Sequence, residues 1–299
     1  MRTNFAIECF ALLVVCSASN PAAAAVTPLP QTEVEQAVID ALPAWQGRKA
    51  QIIDYLDLTQ PLATTTPWAL VVAQGAGPTP APEWNDHGPI AVCLMAKLHP
   101  MHSQCAAGTY WHNDEGFGWP YSLLAARVVY AARNDGQPLL LVQTCSAPGI
   151  NGNCSIHTAL YQYARDVDSF RRIFVNVNGG PNNNAATRFV ERGPLQGDVI
   201  IDTPTSHPPY KYWIEVFAPG KSGHYARILR YRSITRYGDG NPLPVADSDM
   251  PEIMERLGLW KPGDALPIPP HMPKGCGPLV MRQGEEWCKT LRIASTPQQ

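Results

Sequence analysis

The chain has 299 residues, 45% of them hydrophobic and 16% charged, with a formal net charge of −2. This composition excludes a disordered chain, and the near-neutral balance gives no footing for nucleic acid, which needs a basic face. The 30 prolines and 23 glycines fall between short apolar runs, and because proline lacks an amide donor and fixes φ, long helices are excluded too.

Residues 1–25 read as a secretory signal. Arg2 is the basic end, Phe10 to Val15 the apolar centre, and Ala22 to Ala25 the small-residue cleavage region. The apolar run is shorter than the about 20 residues of a membrane-crossing helix, and no later stretch reaches that length. No transmembrane span is expected, and the location implied is periplasmic or secreted. "LVVC", ending at Cys16, is similar to a bacterial lipoprotein box, which implies an outer-membrane lipid anchor as the alternative. Such boxes carry Gly, Ala or Ser before the cysteine, where this chain has Val15.

Residues 26–49 form an N-terminal helical segment. In "TEVEQAVIDALP" (32–43) Thr32 and Glu35 make a capping-box pattern, Pro43 ends the helix, and Val34, Val38, Ala41 and Leu42 share a face.

Residues 50–249 read as a β-repeat domain. "PLLLVQT" (138–144) precedes a Cys/Gly/Asn loop, "HTALYQY" (157–163), the turn "ARDVDS" and "FRRIFVN" (170–176). "GDVIIDT" (197–203), "YKYWIEVF" (210–217), the turn "APGKSGH" and "YARILRY" (225–231) repeat that order. A looser copy comes earlier, with "PWALVVAQ" (67–74), "GPIAVCLM" (88–95) and a weaker third element around "HSQC". Strand-like pieces at 125–132 and 186–193 stand ahead of two of the first runs, and 233–249 suggests a degenerate fourth unit. Val, Ile, Tyr, Phe and Trp suit a pleated, half-buried surface. The fully apolar "LLLV" and "VII" runs offer no wet face and belong in central strands. Within "YKYWIEVF", Tyr212, Ile214 and Val216 fall on the buried side of a two-residue period, with Lys211, Trp213 and Glu215 opposite. The fold class expected is mainly β. It is an antiparallel array of repeated strand modules forming an incomplete or divergent β-propeller-like array, with short helices near both ends and local disulfides.

Outside the signal lie Cys93, Cys105, Cys145, Cys154, Cys276 and Cys288. Six cysteines allow fifteen pairings. Their grouping into three close couples makes Cys93–Cys105, Cys145–Cys154 and Cys276–Cys288 the simplest scheme, in keeping with an oxidising compartment. A metal site at His99, His102 and Cys105 is disfavoured, because Pro100 breaks the helix that would align the ligands and no fourth ligand follows. No metal and no cofactor are expected.

Residues 250–299 read as a C-terminal helix and a Pro-rich, Cys-stapled extension. The helix covers "SDMPEIMERLG" (248–258), with Asp249 and Glu252 at its start, Pro251 in its first turn and Gly258 at its end.

The "NDGQPLLLV" and "YGDGNPLPV" stretches resemble the Asp/Gly turn and buried strand of bacterial FG-GAP/VCBS-type repeat proteins, over residues 50 to 249 at most. The resemblance implies a propeller-like blade and calcium in the turn. Only Asn134 and Asp135 in one turn, and Asp239 and Asn241 in the other, could serve, against the six to eight oxygens calcium takes. "KSGHY" (221–225) is similar to the Ser-Gly…Tyr loop of bacterial lysozyme inhibitors, which implies contacts by Ser222 and Tyr225, although only one residue separates Gly223 from Tyr225.

No GxSxG, HExxH, P-loop or CxxC pattern occurs. Two surfaces remain. One is "YWHNDEGFGWP" (110–120), whose Trp111 and Trp119 flank Asp114 and Glu115 and could cradle a glycan. The other is basic and aromatic: Arg171, Arg172, Arg227 and Arg230 beside Tyr225 and Tyr231, residue types that interfaces overuse. The expectation is an exported, non-catalytic envelope protein binding an envelope protein or glycan through a rigid β scaffold, an inhibitor or immunity-type protein being the subtype. The alternative is a secreted glycan-acting hydrolase using Asp114 or Glu115.

Overall fold

The computed structural model describes residues 26–42, 49–76, 87–96, 102–107, 120–131, 136–146, 154–179, 185–207, 211–236 and 244–264. Among the described residues helix α1 (Gln31–Ala41) comes first, then twelve strands, then α2 (Val245–Ser248) and α3 (Met250–Arg256). The strands are β1 (Gln51–Asp57), β2 (Trp68–Ala76), β3 (His87–Ala96), β4 (His102–Ala107), β5 (Pro120–Tyr130), β6 (Pro138–Ser146), β7 (Ile156–Ala164), β8 (Ser169–Asn178), β9 (Ala186–Phe189), β10 (Val199–Pro204), β11 (Lys211–Pro219) and β12 (Tyr225–Arg236). They form three antiparallel four-stranded sheets, β1-β2-β3-β4, β5-β6-β7-β8 and β9-β10-β11-β12, each a meander in chain order.

The apolar runs dictate how these sheets stack. A central strand with no polar phase must be covered on both faces, and Leu139, Leu140, Leu141 and Val142 of β6 are all buried. Leu140 and Val142 pack with Leu70, Val72, Val92 and Leu94 of the first sheet. Leu139 and Leu141 point the other way, into a cluster with Val199, Ile201 and Phe189 of the third sheet. The outward face of the first sheet carries Val71, Cys93 and Met95 under Val34 and Val38 of α1. The outward face of the third carries Ile200, Tyr212, Ile214 and Val216 under Met250, Ile253 and Met254 of α3. The molecule is thus a stack of helix, three sheets and helices, with a core in each gap.

The alternation expected of β11 is observed: Tyr212, Ile214 and Val216 are buried, Trp213 is exposed. Two helix starts differ from expectation. The amides of Glu33 and Val34 bond the carbonyl of Pro30, so α1 begins a residue before Thr32, and no side chain caps it. Asp249 does not cap α3 either, because its carboxylate is drawn away to three hydroxyls of β12. Pro251 does sit in the first turn of α3. At the far end Leu259 N bonds Met254 O and Gly258 N bonds Glu255 O, the paired bonds of a Schellman stop. The suggested fourth unit is not a strand module among the described residues: 233–236 complete β12, and 245–256 are helical.

Cys145 and Cys154 form a disulfide across the β6–β7 connection. Cys93 is also disulfide-bonded, and its register neighbour on β4 is Cys105. Cys276 and Cys288 lie outside the described residues, as do residues 1–25 with Cys16 and the turn residues Asn134, Asp135, Asp239 and Asn241. Among the described residues no helix is long and apolar enough to cross a membrane.

Candidate functional site

The third sheet displays its β11–β12 edge as a mixed basic and aromatic surface. Strand alternation puts Trp213 and Glu215 on the face opposite the helix-covered core, and the register sets Arg232 beside Trp213 and Arg230 beside Glu215. A register shift at Val216/Phe217 brings Arg227 onto the same face. The Arg230 guanidinium stands 4.5 Å over the Trp213 ring. Glu215 accepts from Arg227 Nη1 at 2.5 Å and lies 3.5 Å from Arg230 Nε. One carboxylate therefore braces two arginines, while Trp213 stays 37% exposed. Arg232 is exposed beside them.

The other residues singled out from sequence take varied positions. Arg171 is exposed on β8 and pairs with Asp166 at 3.2 Å. Its register neighbour Gln162 lies against Gly223 in the turn that carries the exposed Ser222. Arg171, Ser222 and Arg227 thus come to the same edge of the stack. Arg172 lies opposite Tyr161, on the face turned to the first sheet. Tyr225 points inward: its ring meets Phe174 at 5.4 Å and its hydroxyl donates to Gly197 O at 2.7 Å. Burial first, and then the charge of Asp198, push its phenol well above the ordinary range. Tyr231 is buried, donates to Asp249 at 2.7 Å and carries Arg256 over its ring. These two tyrosines anchor the sheet from within. Trp111, Asp114, Glu115 and Trp119 lie outside the described residues, as does His99. Among the described residues no group of three or more His, Cys, Asp or Glu is placed to hold a metal ion.

A second feature was not read from sequence. Where β5 of the second sheet approaches β9 of the third, a cavity of about 480 Å³ opens. Leu141, Phe189 and Val190 form its buried apolar lining, and Arg127, Arg188 and Arg192 are also in its wall, although alternation along β9 turns the Arg188 side chain to the helix-covered face. Glu191, also in the wall, forms an ion pair with Arg127 across the two sheets. Arg188 is bound from behind by Asp247 of α2, whose side chain is 2% exposed. Gln143 ties the floor together, donating to Thr158 at 3.0 Å and to Thr187 O at 2.9 Å. The sequence signal was faint: one arginine inside "AARVVYAA" and two inside "ATRFVERG".

Behind the cavity, on the helix-covered face, lies a buried carboxyl group. Asp202 Oδ1 accepts the Ala186 amide at 2.6 Å, whereas Oδ2 makes no hydrogen bond of good geometry. Burial, with Asp249 adding repulsion, pushes this carboxyl up to about 7 against the pull of the Ala186 and Ala246 amides and of Arg188. No protein-family model, curated protein or solved structure matches the chain.

Proposed function

We propose that this chain is an exported, non-catalytic envelope protein that binds an envelope protein or glycan through a rigid β scaffold, with an inhibitor or immunity-type role as the subtype. The observation that carries the reading is the face of β11 and β12 opposite the helices, where Trp213, Arg227 and Arg230 are held in place around Glu215 while staying open to solvent. Arg and Trp are the side chains most enriched at binding hot spots. Bracing them before contact lowers the ordering cost of association. The same reading takes the three stacked meanders as blades of an incomplete propeller of the FG-GAP/VCBS kind. In support, each sheet has four strands in chain order and packs face to face with the next. Export is supported by the signal-like residues 1–25 and by the Cys145–Cys154 bond, which suits an oxidising compartment.

The test is affinity capture from envelope extract with the mature chain, run beside Trp213→Ala and Arg230→Glu. The residues are surface-exposed, so both variants should keep their stability within about 0.5 kcal/mol. The parent is expected to recover a specific macromolecule, and recovery is expected to weaken as salt rises. Each variant should lose most of it. Equal recovery by parent and both variants would remove the β11–β12 face from the reading.

A further inference from the structure

We propose that the outer edge of β12 takes up an extended segment of an acidic partner protein, main chain against main chain, so that the third sheet gains a fifth strand. The inference rests on the reading of the β11–β12 face as a binding surface and names what binds there. Among the described residues β12 is the longest strand, 12 residues, and it closes its sheet with β11 as its one neighbour. Every second residue of an edge strand turns its N–H and C=O away from the sheet, and that row is the template on which an extended peptide adds. Register shifts between Lys211 and Trp213 and between Val216 and Phe217 leave residues 229–232 as the regular stretch, so the paired core is short.

What the guest strand must carry follows from alternation, because residues opposite one another on adjacent strands share a face. Arg230 and Arg232 stand on the exposed face with Trp213 and Glu215. Leu229 and Tyr231 turn to the helix-covered face, into the cluster with Ile214 and Val216. Guest residues opposite the two arginines are therefore acidic, and those opposite Leu229 and Tyr231 apolar. Glu215 answers Arg227 and Arg230 together, and Arg232 makes no ion pair among the described residues, so the edge carries surplus positive charge. Ile228 and Ile234, both exposed, offer further apolar contact on either side of the regular stretch. The same charges speak against a second copy of this chain. Pairing β12 with β12 would set arginine against arginine, and like charges directly across a ladder destabilise it.

The chain is titrated, with fluorescence anisotropy as the readout, into a labelled and end-capped peptide of alternating valine and glutamate. Saturable binding is expected, with a dissociation constant on the order of 100 µM that weakens as salt rises. The same peptide N-methylated throughout keeps its charges but loses its amide donors, and it should not bind. Equal binding of the methylated form would reduce the interaction to charge attraction and overturn strand addition. A valine–lysine peptide should not bind either, and its binding as tightly as the glutamate peptide would overturn the acidic partner. Arg232→Glu should weaken the glutamate peptide by about tenfold or more and Arg232→Gln by less, with melting curves showing that each variant is folded. No saturable binding to the parent, or undiminished binding by both folded variants, would overturn the whole. The two readings fail separately. Envelope capture that depends on Trp213 and Arg230, without peptide binding, would keep the binding face and remove strand addition alone. Peptide binding without such capture would keep the edge and remove the envelope partner.

Discussion

The two faces of the second sheet make unlike junctions. Toward the first sheet the gap is filled by apolar side chains, with the Trp68 ring edge-on to Phe170 at 5.2 Å, and polar groups gather at the rim. There Asp168 accepts from Thr66 Oγ1 at 2.6 Å, Trp68 Nε1 at 3.0 Å and Tyr163 OH at 2.5 Å. Toward the third sheet, polar groups run through the gap itself. Asn178 donates to Ala186 O and Asp202 O and accepts from Thr203, and Gln143 bridges to Thr187. Beside them the packing opens into the arginine cavity. Alternate residues of one strand, β6, thus serve a cohesive junction on one side and a cavity-bearing junction on the other. Incomplete apolar filling is what makes room for chemistry.

The largest test of that contrast uses neighbours on β6. Leu140→Ala, in the filled junction, should cost about 3–5 kcal/mol, because nothing nearby can move into the space. Leu141→Ala enlarges a cavity that already reaches the surface between Arg127 and Glu191, and should cost nearer to about 2 kcal/mol. Urea melts of the pair decide it, and equal losses would erase the distinction. Next comes a close backbone approach in the second junction. Gly197 has φ +91°, and a β-carbon there would meet Ala131 Cα at 2.7 Å. Gly197→Ala combines left-handed strain with a clash against main chain and should cost about 3 kcal/mol. Gly193→Ala, at φ +82° with open space around it, should show the conformational part alone, about 1 kcal/mol.

The rim of the first junction is tested at Asp168. Burial pushes its carboxyl up, but hydrogen bonds from Thr66, Tyr163, Trp68 and Thr65 outweigh this and hold it below its ordinary value. A depressed carboxylate contributes stability that is present above its unfolded value of 3.8 and is lost as pH falls through the lower folded value. Asp168→Ala should cost about 1–3 kcal/mol near neutrality, since four donors lose their acceptor. Asp168→Asn, which keeps a residue tolerant of the observed φ of +45°, should flatten the acid limb below about pH 4 relative to the parent.

What could be read in advance follows from how each element is buried. The inner strands β6, β10 and β11 were plain because burial on two faces, or strict alternation, writes itself into the residues. Strand β1, "QIIDYLD", was missed: it is an edge strand whose burial follows no clean period. Strand β4, "HSQCAA", gave only a weak signal, having no β-branched or aromatic residue. The echo of the repeat in 233–249 misled, because Pro244 opens a helical turn where a buried strand would have begun. At the surface, Arg227 and Arg230 were legible as near neighbours on one strand, although it is the register shift at Val216/Phe217 that puts them on one face. The Arg127–Glu191 pair was not, because its meeting depends on two sheets stacking, and no local pattern reports that.

The smallest expected effect follows the polar side of the second junction through the third sheet to Asp202, whose main-chain oxygen accepts from Asn178 while its carboxyl faces the helices. Held at about 7 when folded and 3.8 when unfolded, this group binds its proton more tightly in the native state. Its contribution is therefore fully present below the unfolded value and is lost as pH rises through about 7, by about 1 kcal/mol between pH 6 and 8. His157 on β7 has the opposite sign. Burial lowers its pKa from 6.5, so the folded chain keeps it neutral, and stability falls as acid charges it in the unfolded chain. Asp202→Asn separates the two, because it should abolish the decline from pH 6 to 8 and, by removing the opposing gain of Asp202 below pH 6, make the His157 loss in acid steeper than in the parent. Urea midpoints at pH 5, 6, 7 and 8 provide the comparison. An Asp202→Asn profile as steep as the parent's above pH 6 would move the alkaline loss to another group and leave the third sheet's carboxyl as plain packing.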